Sequence, residues 1–490
     1  MDARRLRTDA LDGHMSVEDL LALIQEQRQT IRRLGAEVER LKERLAQYEP
    51  EVRNEPSPRG DADESSPSYS LDAEAKRRRG RKRRKKSPGR RPNEIKFADA
   101  QRTEDLYPDG VNRASCHLLR ERAVWRLENG RAVLVGYRIF GGPGGEPRIP
   151  GLTPRCEYGI EILVVLAFLV YVIGISLDKA RAVLAFFCQL PLSRSQADAL
   201  LRQLGRHWED EFEILCDLMA RAAVVYMDET GWKIGQEGCS LWAFASELQR
   251  VFVFGCRKDA KTLDEMLPPD VFDGVGVSDD AAVYGQRFVR GQKCWAHLLR
   301  KAIRLALLYP HIKKYRRFLD RLLGIYQNAK RAAEDGRLGD AGRQQRVVEL
   351  EGRLCELCQP YAIETIPEMT PHERDFTNLV NELMRLVMAE ELFTFVRVEG
   401  VDATNNLSER LLRNPALDRK TGRTSKTEAG AHRRSVIVSV LESLRANLER
   451  FHLGTVLEEV KRWMENGISR FAEQLRESLA GTPASAPSTG

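Results

Sequence analysis

Between residues 17 and 48 apolar side chains recur three and four positions apart: Val17, Leu20, Ile24, Ile31, Leu34, Val38, Leu41, Leu45 and Tyr48, with a polar Gln27 in the series. Arg, Glu, Gln and Lys fill the positions between. This is a heptad seam over more than four heptads, which predicts a coiled coil over 16–48 and a protein that is at least dimeric. An amphipathic helix packed on its own chain is the alternative. Over 49–75 the periodicity disappears into Pro, Ser, Asp and Glu, a composition that cannot bury enough surface to order itself and reads as a linker.

Further along, 93–157 carries short apolar pieces such as RAVLVGYRIF among many glycines and prolines, suggesting a small β-rich or irregular module. The stretch 158–220 reads as helical throughout, starting with the apolar run Ile162 to Leu177, taken as one buried helix. That run is bracketed by Glu161 and Asp178 and is shorter than the roughly 18–20 residues that cross a bilayer. LPLSRSQADALLRQL has a proline, a Ser at an N-cap position and then helical spacing, which fits either the second helix of a helix-turn-helix or plain helical packing. At 222 the period switches: AAVVYMDETGWKI, SLWAFASE and RVFVFGC read as an antiparallel meander of three strands. DAKTLDEML reads as a helix and GVGVSDD as a short strand; residues 296–395 are helical again, looser at Glu334 to Gly342. TNNLSERLLRN, RRSVIVSVLESLRANL and TVLEEVKRWM complete the helical pattern, and 466–490 is expected to fray.

At 490 residues the chain exceeds what one core usually holds, so the fold class expected is multidomain and α-rich, with a central α/β domain. A net charge of +7 conceals an uneven distribution: Lys76 to Arg91 holds twelve basic residues and no acid, so the remainder is net acidic. A run of one sign repels itself and gains order by neutralising phosphates, so 76–92 reads as a basic arm for a polyanion such as DNA, through Lys76, Arg77, Arg78, Arg79, Arg81, Lys82, Arg83, Arg84, Lys85 and Lys86, with a merely solubilising tail as the alternative. The N-terminus has no apolar stretch of the kind a secretory signal needs, and nine scattered cysteines suit a reducing compartment. Together these predict a cytoplasmic, nucleoid-associated protein with no membrane partner. Cys355 and Cys358 read as structural thiols; no second pair completes a zinc site, so no zinc is expected.

Three acids stand out by position. Asp228 interrupts an apolar strand, where a carboxylate is costly to bury without a cation or donors beside it, and Asp279 follows GVGVS in the same way. Glu409 falls on a helical stripe with Asn405 and Arg413, while Leu407 and Leu411 lie on the opposite face. Hard oxygen ligands from two strands and a helix are what Mg²⁺ or Mn²⁺ needs when water and phosphate oxygens complete its shell. Two such ions roughly 3.5–4 Å apart serve an in-line displacement at phosphorus.

DETGW at 228–232, VSDDAAVYG at 277–285, CWAHLLR at 294–300, TNNLSERLLR at 404–413 and RKTGRTSKTEAGAHRR at 419–434 together resemble the DDE transposases of bacterial insertion sequences, specifically the insertion sequence 66 family, over about 160–465. The resemblance implies an RNase H-like catalytic domain split into 221–300 and 401–465 by a helical insertion at 301–400. It implies Asp228, Asp279 and Glu409 as catalytic residues that ligate two divalent ions, Mg²⁺ or Mn²⁺. The partners it implies are the element's DNA ends, target DNA and accessory proteins of the same element. Arg410, Arg413, Lys420, Arg423 and Lys426 form a basic run beside Glu409 suited to phosphate, with Asn405, Asn406 and His297 as supporting residues. Two departures stand out. No Cys precedes Cys116, where family members often carry a zinc module, and Asp280 replaces a glycine after the second Asp. Glu229 and Asp280 therefore compete for the assignment; strand alternation favours Asp228 and Asp279, because adjacent side chains point to opposite faces. A catalytically inert, domesticated DNA-binding protein and an RNase H-like nuclease without strand transfer are the rival readings.

Overall fold

The computed structural model describes residues 91–285, 287–362 and 369–481. The predicted coiled coil, the linker and Lys76 to Arg90 of the basic arm lie outside the described residues. Helix α1 (Asn93–Ala98) leads into a small sheet of β1 (Arg102–Leu106), β2 (His117–Glu128) and β3 (Arg131–Gly141). Its order is β1-β3-β2, with β1 parallel and β2 antiparallel to β3. The β2–β3 hairpin turns through Asn129 and Gly130, both at positive φ (51° and 79°), the backbone that an Asn-Gly pair adopts most readily. The module at 93–157 is thus a sheet with its own small core around Val124, Val135 and Ile139.

Four helices follow: α2 (Ile160–Ala167), α3 (Leu177–Phe187), α4 (Arg194–His207) and α5 (Glu209–Ala220). The run read from sequence as one buried helix is broken. After α2 the chain widens into a π-turn at Phe168–Val172, stops at Gly174 (φ 75°), and restarts where the Ser176 side chain accepts from the Lys179 N–H at 3.2 Å. Glycine supplies the left-handed backbone and serine the cap, so uniform hydrophobicity did not mean a continuous helix. Ser193 caps α4 in a capping box with Gln196.

The larger sheet contains β4 (Val224–Ile234), β5 (Glu237–Ala245), β6 (Arg250–Cys256), β7 (Val275–Ser278) and β8 (Arg290–Lys293), in the order β6-β5-β4-β7-β8. β4, β5 and β6 form the antiparallel meander, while β7 and β8 run parallel to β4. The connection from β6 to β7 contains helix α6 (Ala260–Met266). β4 is central and covered on both faces: Val225 and Met227 belong to one core and Tyr226 to the other, which is why its sequence reads as a continuous apolar run. β7 approaches its neighbours closely, and a Cβ at Gly274 would collide with the Ala222 carbonyl oxygen.

One face carries α2 to α5 with α13 (Glu428–Asn447), α14 (Leu453–Asn466) and α15 (Arg470–Gly481). The other face carries α7 (Trp295–Leu308), α8 (Lys313–Glu334), α9 (Asp340–Cys358), α10 (Pro371–Met388) and α11 (Thr394–Arg397). Helix α12 (Asn406–Lys420) packs Leu411 against both cores. The expected fraying from 466 does not occur at once, because α15 extends to Gly481 with Phe471 fully buried against Trp463. An apolar anchor at 471 outweighs the polar composition around it.

Both rims of the sheet are closed by side chains and loops. On β6 the N–H groups of Arg250, Phe252 and Phe254 donate to Ser443, Ser439 and Ser435 at 2.8–2.9 Å. Serines spaced four apart on α13 therefore match every second residue of the strand, leaving no open edge for another chain. On β8 the Lys293 N–H reaches the Glu391 carbonyl at 2.7 Å, and the Thr394 hydroxyl reaches the Gly291 carbonyl at 2.5 Å. Ser439 is fully buried, so Ser439→Ala leaves the Phe252 N–H unsatisfied and should cost about 1–3 kcal/mol in denaturant unfolding, whereas exposed Glu428→Ala on the same helix should cost far less.

Candidate active site

Three segments far apart in sequence meet beside the middle of β4, at the carbonyl end of β7. Asp228 lies within that strand, Asp279 directly follows β7, and Glu409 sits in the first turn of α12. Asn405 joins these segments. Its amide donates to the Met227 carbonyl at 2.7 Å, its backbone N–H donates to Cys294 Sγ at 3.2 Å, and its side-chain oxygen accepts from Ser408 at 2.5 Å. Asn405 is fully buried, so it does not share an exposed stripe with Glu409 and Arg413 as the helical spacing suggested. The inward stripe of α12 is Ser408, Leu412 and Pro415, and Leu407 and Leu411 are only half-buried. Asn406 is exposed.

Burial pushes the Asp228 carboxyl up to about 7; Glu229 adds repulsion, and Asp279 and Glu409 add less. The Glu229 N–H opposes this by donating to Asp228 Oδ1 at 2.9 Å. Asp279 Oδ1 accepts the Ala281 N–H at 3.0 Å. Among the described residues no basic side chain forms an ion pair with Asp228 or Asp279. Their acidic neighbours differ: Glu229 is held by Lys258 and the Tyr284 hydroxyl, and Asp280 by Arg385 of α10. Two of these four acids are thus neutralised by this chain's own groups and two are not.

Glu409 accepts from Arg300 at 2.9 Å and lies 3.6 Å from His297 Nε2. Burial, then Arg300, holds His297 below the usual imidazole range. Cys294, His297 and Glu409 each offer a ligand atom within 4.8 Å of the others. The three predicted carboxylates are not so closely gathered. Beside them opens a cavity of about 600 Å³, lined by Asp279, Asp280, Lys293, His297, Lys301 and Arg385, so α10 of the predicted insertion forms one wall of the site. Arg300, Lys258 and Arg385 were not singled out from sequence. Arg300 lies one helical turn beyond His297 within CWAHLLR, a signal that spacing could have given; Lys258 and Arg385 reach the site only through tertiary packing.

Of the predicted DNA contacts, Arg410, Arg413, Lys420 and Lys426 are exposed. Arg423 is half-buried and pairs with buried Asp418 at 3.2 Å, beside Arg434. Lys76 to Lys86 lie outside the described residues.

The family model described as "Transposase IS66 family" matches residues 155–433, and the chain belongs to that family of transposases. No curated protein matches it.

Because the folded chain holds on Asp228 a proton that the unfolded chain releases, stability present below the ordinary carboxylate range falls as pH rises to about 7. In chelator, Asp228→Asn should therefore melt at least about 2 °C above the wild type at pH 8, and near it at pH 4. A lower melting point for the variant at pH 8 would show that the charge is not under strain.

Proposed function

We propose that the protein is a DDE-type transposase that cleaves DNA at the ends of an insertion sequence and joins the exposed 3′ hydroxyl to target DNA, with Asp228, Asp279 and Glu409 as its catalytic carboxylates. The observation that carries this reading is a pairing asymmetry between adjacent acids: Glu229 and Asp280 have basic partners, whereas among the described residues Asp228 and Asp279 have none within ion-pair reach, and Glu409 is held by Arg300 at the site's edge. An all-oxygen donor set with unbalanced negative charge fits Mg²⁺ or Mn²⁺. Such ions would supply polarisation of the attacking and leaving oxygens at the scissile phosphate. The strand order, with an antiparallel meander followed by two parallel strands and with the acids at the first strand, after the fourth and on a late helix, supports the RNase H-like description.

The chain's own residues have separable tasks. Asp228 must lose its proton before it can ligate, so metal affinity rises as pH passes through about 7. Arg300 orients Glu409 and must yield its hydrogen bond when the carboxylate takes another partner. Asn405 holds α12 against β4, fixing Glu409 relative to Asp228. Exposed Arg410, Arg413, Lys420 and Lys426 supply phosphate contacts along α12 and beyond it, and the basic arm adds affinity without reading sequence.

The deciding experiment is Mn²⁺- or Mg²⁺-dependent cleavage and joining of DNA that carries the element's own ends, with its accessory proteins present. Asp228→Asn, Asp279→Asn and Glu409→Gln should bind DNA but lose both steps by more than the about 10–100-fold that outer partners of a metal site cost. Asn405→Ala should fall within that smaller range. Full activity in any of the three carboxylate variants removes that residue from the site. Cleavage without joined product makes the protein a nuclease, and DNA binding without either step makes it an inert relative.

A further inference from the structure

We propose that Cys294, His297 and Glu409 form a second metal site, selective for Zn²⁺ or a similar borderline-soft divalent ion, which draws Glu409 away from Asp228 and Asp279. The three donors are sulfur, nitrogen and oxygen, brought within 4.8 Å of one another. Cys294 caps α7 and His297 lies three residues on, so one helical turn presents both to the same side, while Glu409 arrives from α12. A tetrahedral Zn²⁺ with bonds of about 2.0–2.3 Å separates its ligand atoms by roughly 3.3–3.8 Å. His297 Nε2 and Glu409 Oε1, 3.6 Å apart, already meet that spacing. A shift of about 1 Å in a side chain closes the rest.

One further observation points to a ligand here. The cavity of about 600 Å³ reaches Cys294 and His297 as well as Asp279, giving an ion a route to the otherwise buried sulfur. The lysines on that cavity have acidic partners, Lys301 on Glu382 at 2.6 Å and Lys293 near Glu391 at 3.9 Å, so their charge does not bar a cation.

Thiolate and imidazole favour Zn²⁺ over Mg²⁺, whereas the Asp228 and Asp279 side has only oxygen. Binding replaces the Cys294 S–H bond with a sulfur–metal bond and releases one proton to solvent; no electron moves. Arg300 gives up Glu409 to the ion. The site itself stands on this geometry, and only its consequence, removal of Glu409 from the carboxylate set, rests on the transposase reading.

The test is titration of the full-length chain with Co²⁺ as a spectroscopic substitute, following the thiolate-to-cobalt charge-transfer band. The band should appear in the wild type and in Asp228→Asn, vanish in Cys294→Ser, and be displaced by Zn²⁺ but not by Mg²⁺. His297→Gln should weaken Co²⁺ binding by about tenfold or more, and it serves alone if Cys294→Ser does not fold. No band in the wild type, or an unchanged band in Cys294→Ser, overturns the proposal. Co²⁺ binding without the band that is lost in Asp228→Asn places the ion on the carboxylates, overturning this site and leaving the transposase reading intact. A band that behaves as expected in a protein without cleavage or joining keeps the site and removes the transposase reading.

Discussion

The hydrogen bond from the Asn405 amide to the Met227 carbonyl ties together what the sequence holds far apart. Met227 precedes Asp228 in the central strand, and Asn405 precedes the helix that carries Glu409. The Asn405 N–H meanwhile reaches Cys294 at the start of α7. One buried side chain thus sets the spacing between β4, α7 and α12. A buried amide that loses a partner pays a desolvation penalty, so this geometry is held firmly rather than sampled. Around it the sheet keeps its own rims occupied, by the α13 serines on β6 and by Glu391 and the first residue of α11, Thr394, on β8.

Such firmness matters because the site is unfavourable by itself. Asp228 is half-buried beside other acids, and its proton affinity rises accordingly, first through burial and then through Glu229. Neighbouring acids do not share the difficulty: Lys258 and Tyr284 hold Glu229, and Arg385 holds Asp280. An acid raised by burial beside neighbours whose charges are neutralised is one way in which a fold stores a need for a ligand. The helices at 301–400 contribute directly through Arg385, Lys301 and the wall of the cavity.

Family membership and geometry carry different parts of the conclusion. The match over 155–433 makes the chain a transposase of its family. Among the described residues no helix is long and apolar enough to cross a membrane. The division of labour among the acids, and the mixed donor set at Cys294, His297 and Glu409, come from distances that no family match contains.

The sequence by itself determined much of the local order. Alternation and β-branched runs marked β4, β5 and β6, and apolar spacing marked the helices, because both depend on which face is buried. The candidate acids were legible for a related reason: a carboxylate within an apolar strand is costly enough to need an explanation. Sequence misjudged the run after Ile162, where Gly174 and Ser176 break a helix that hydrophobicity alone would continue. It also misjudged the segment after 466, where Phe471 anchors a helix in polar surroundings. Only the tertiary structure decided that Asn405 faces inward, that Arg423 belongs to Asp418, and which acids have partners. Those outcomes depend on contacts between residues separated by up to about 180 positions, such as Asn405 with Met227, and no periodicity along the chain records them.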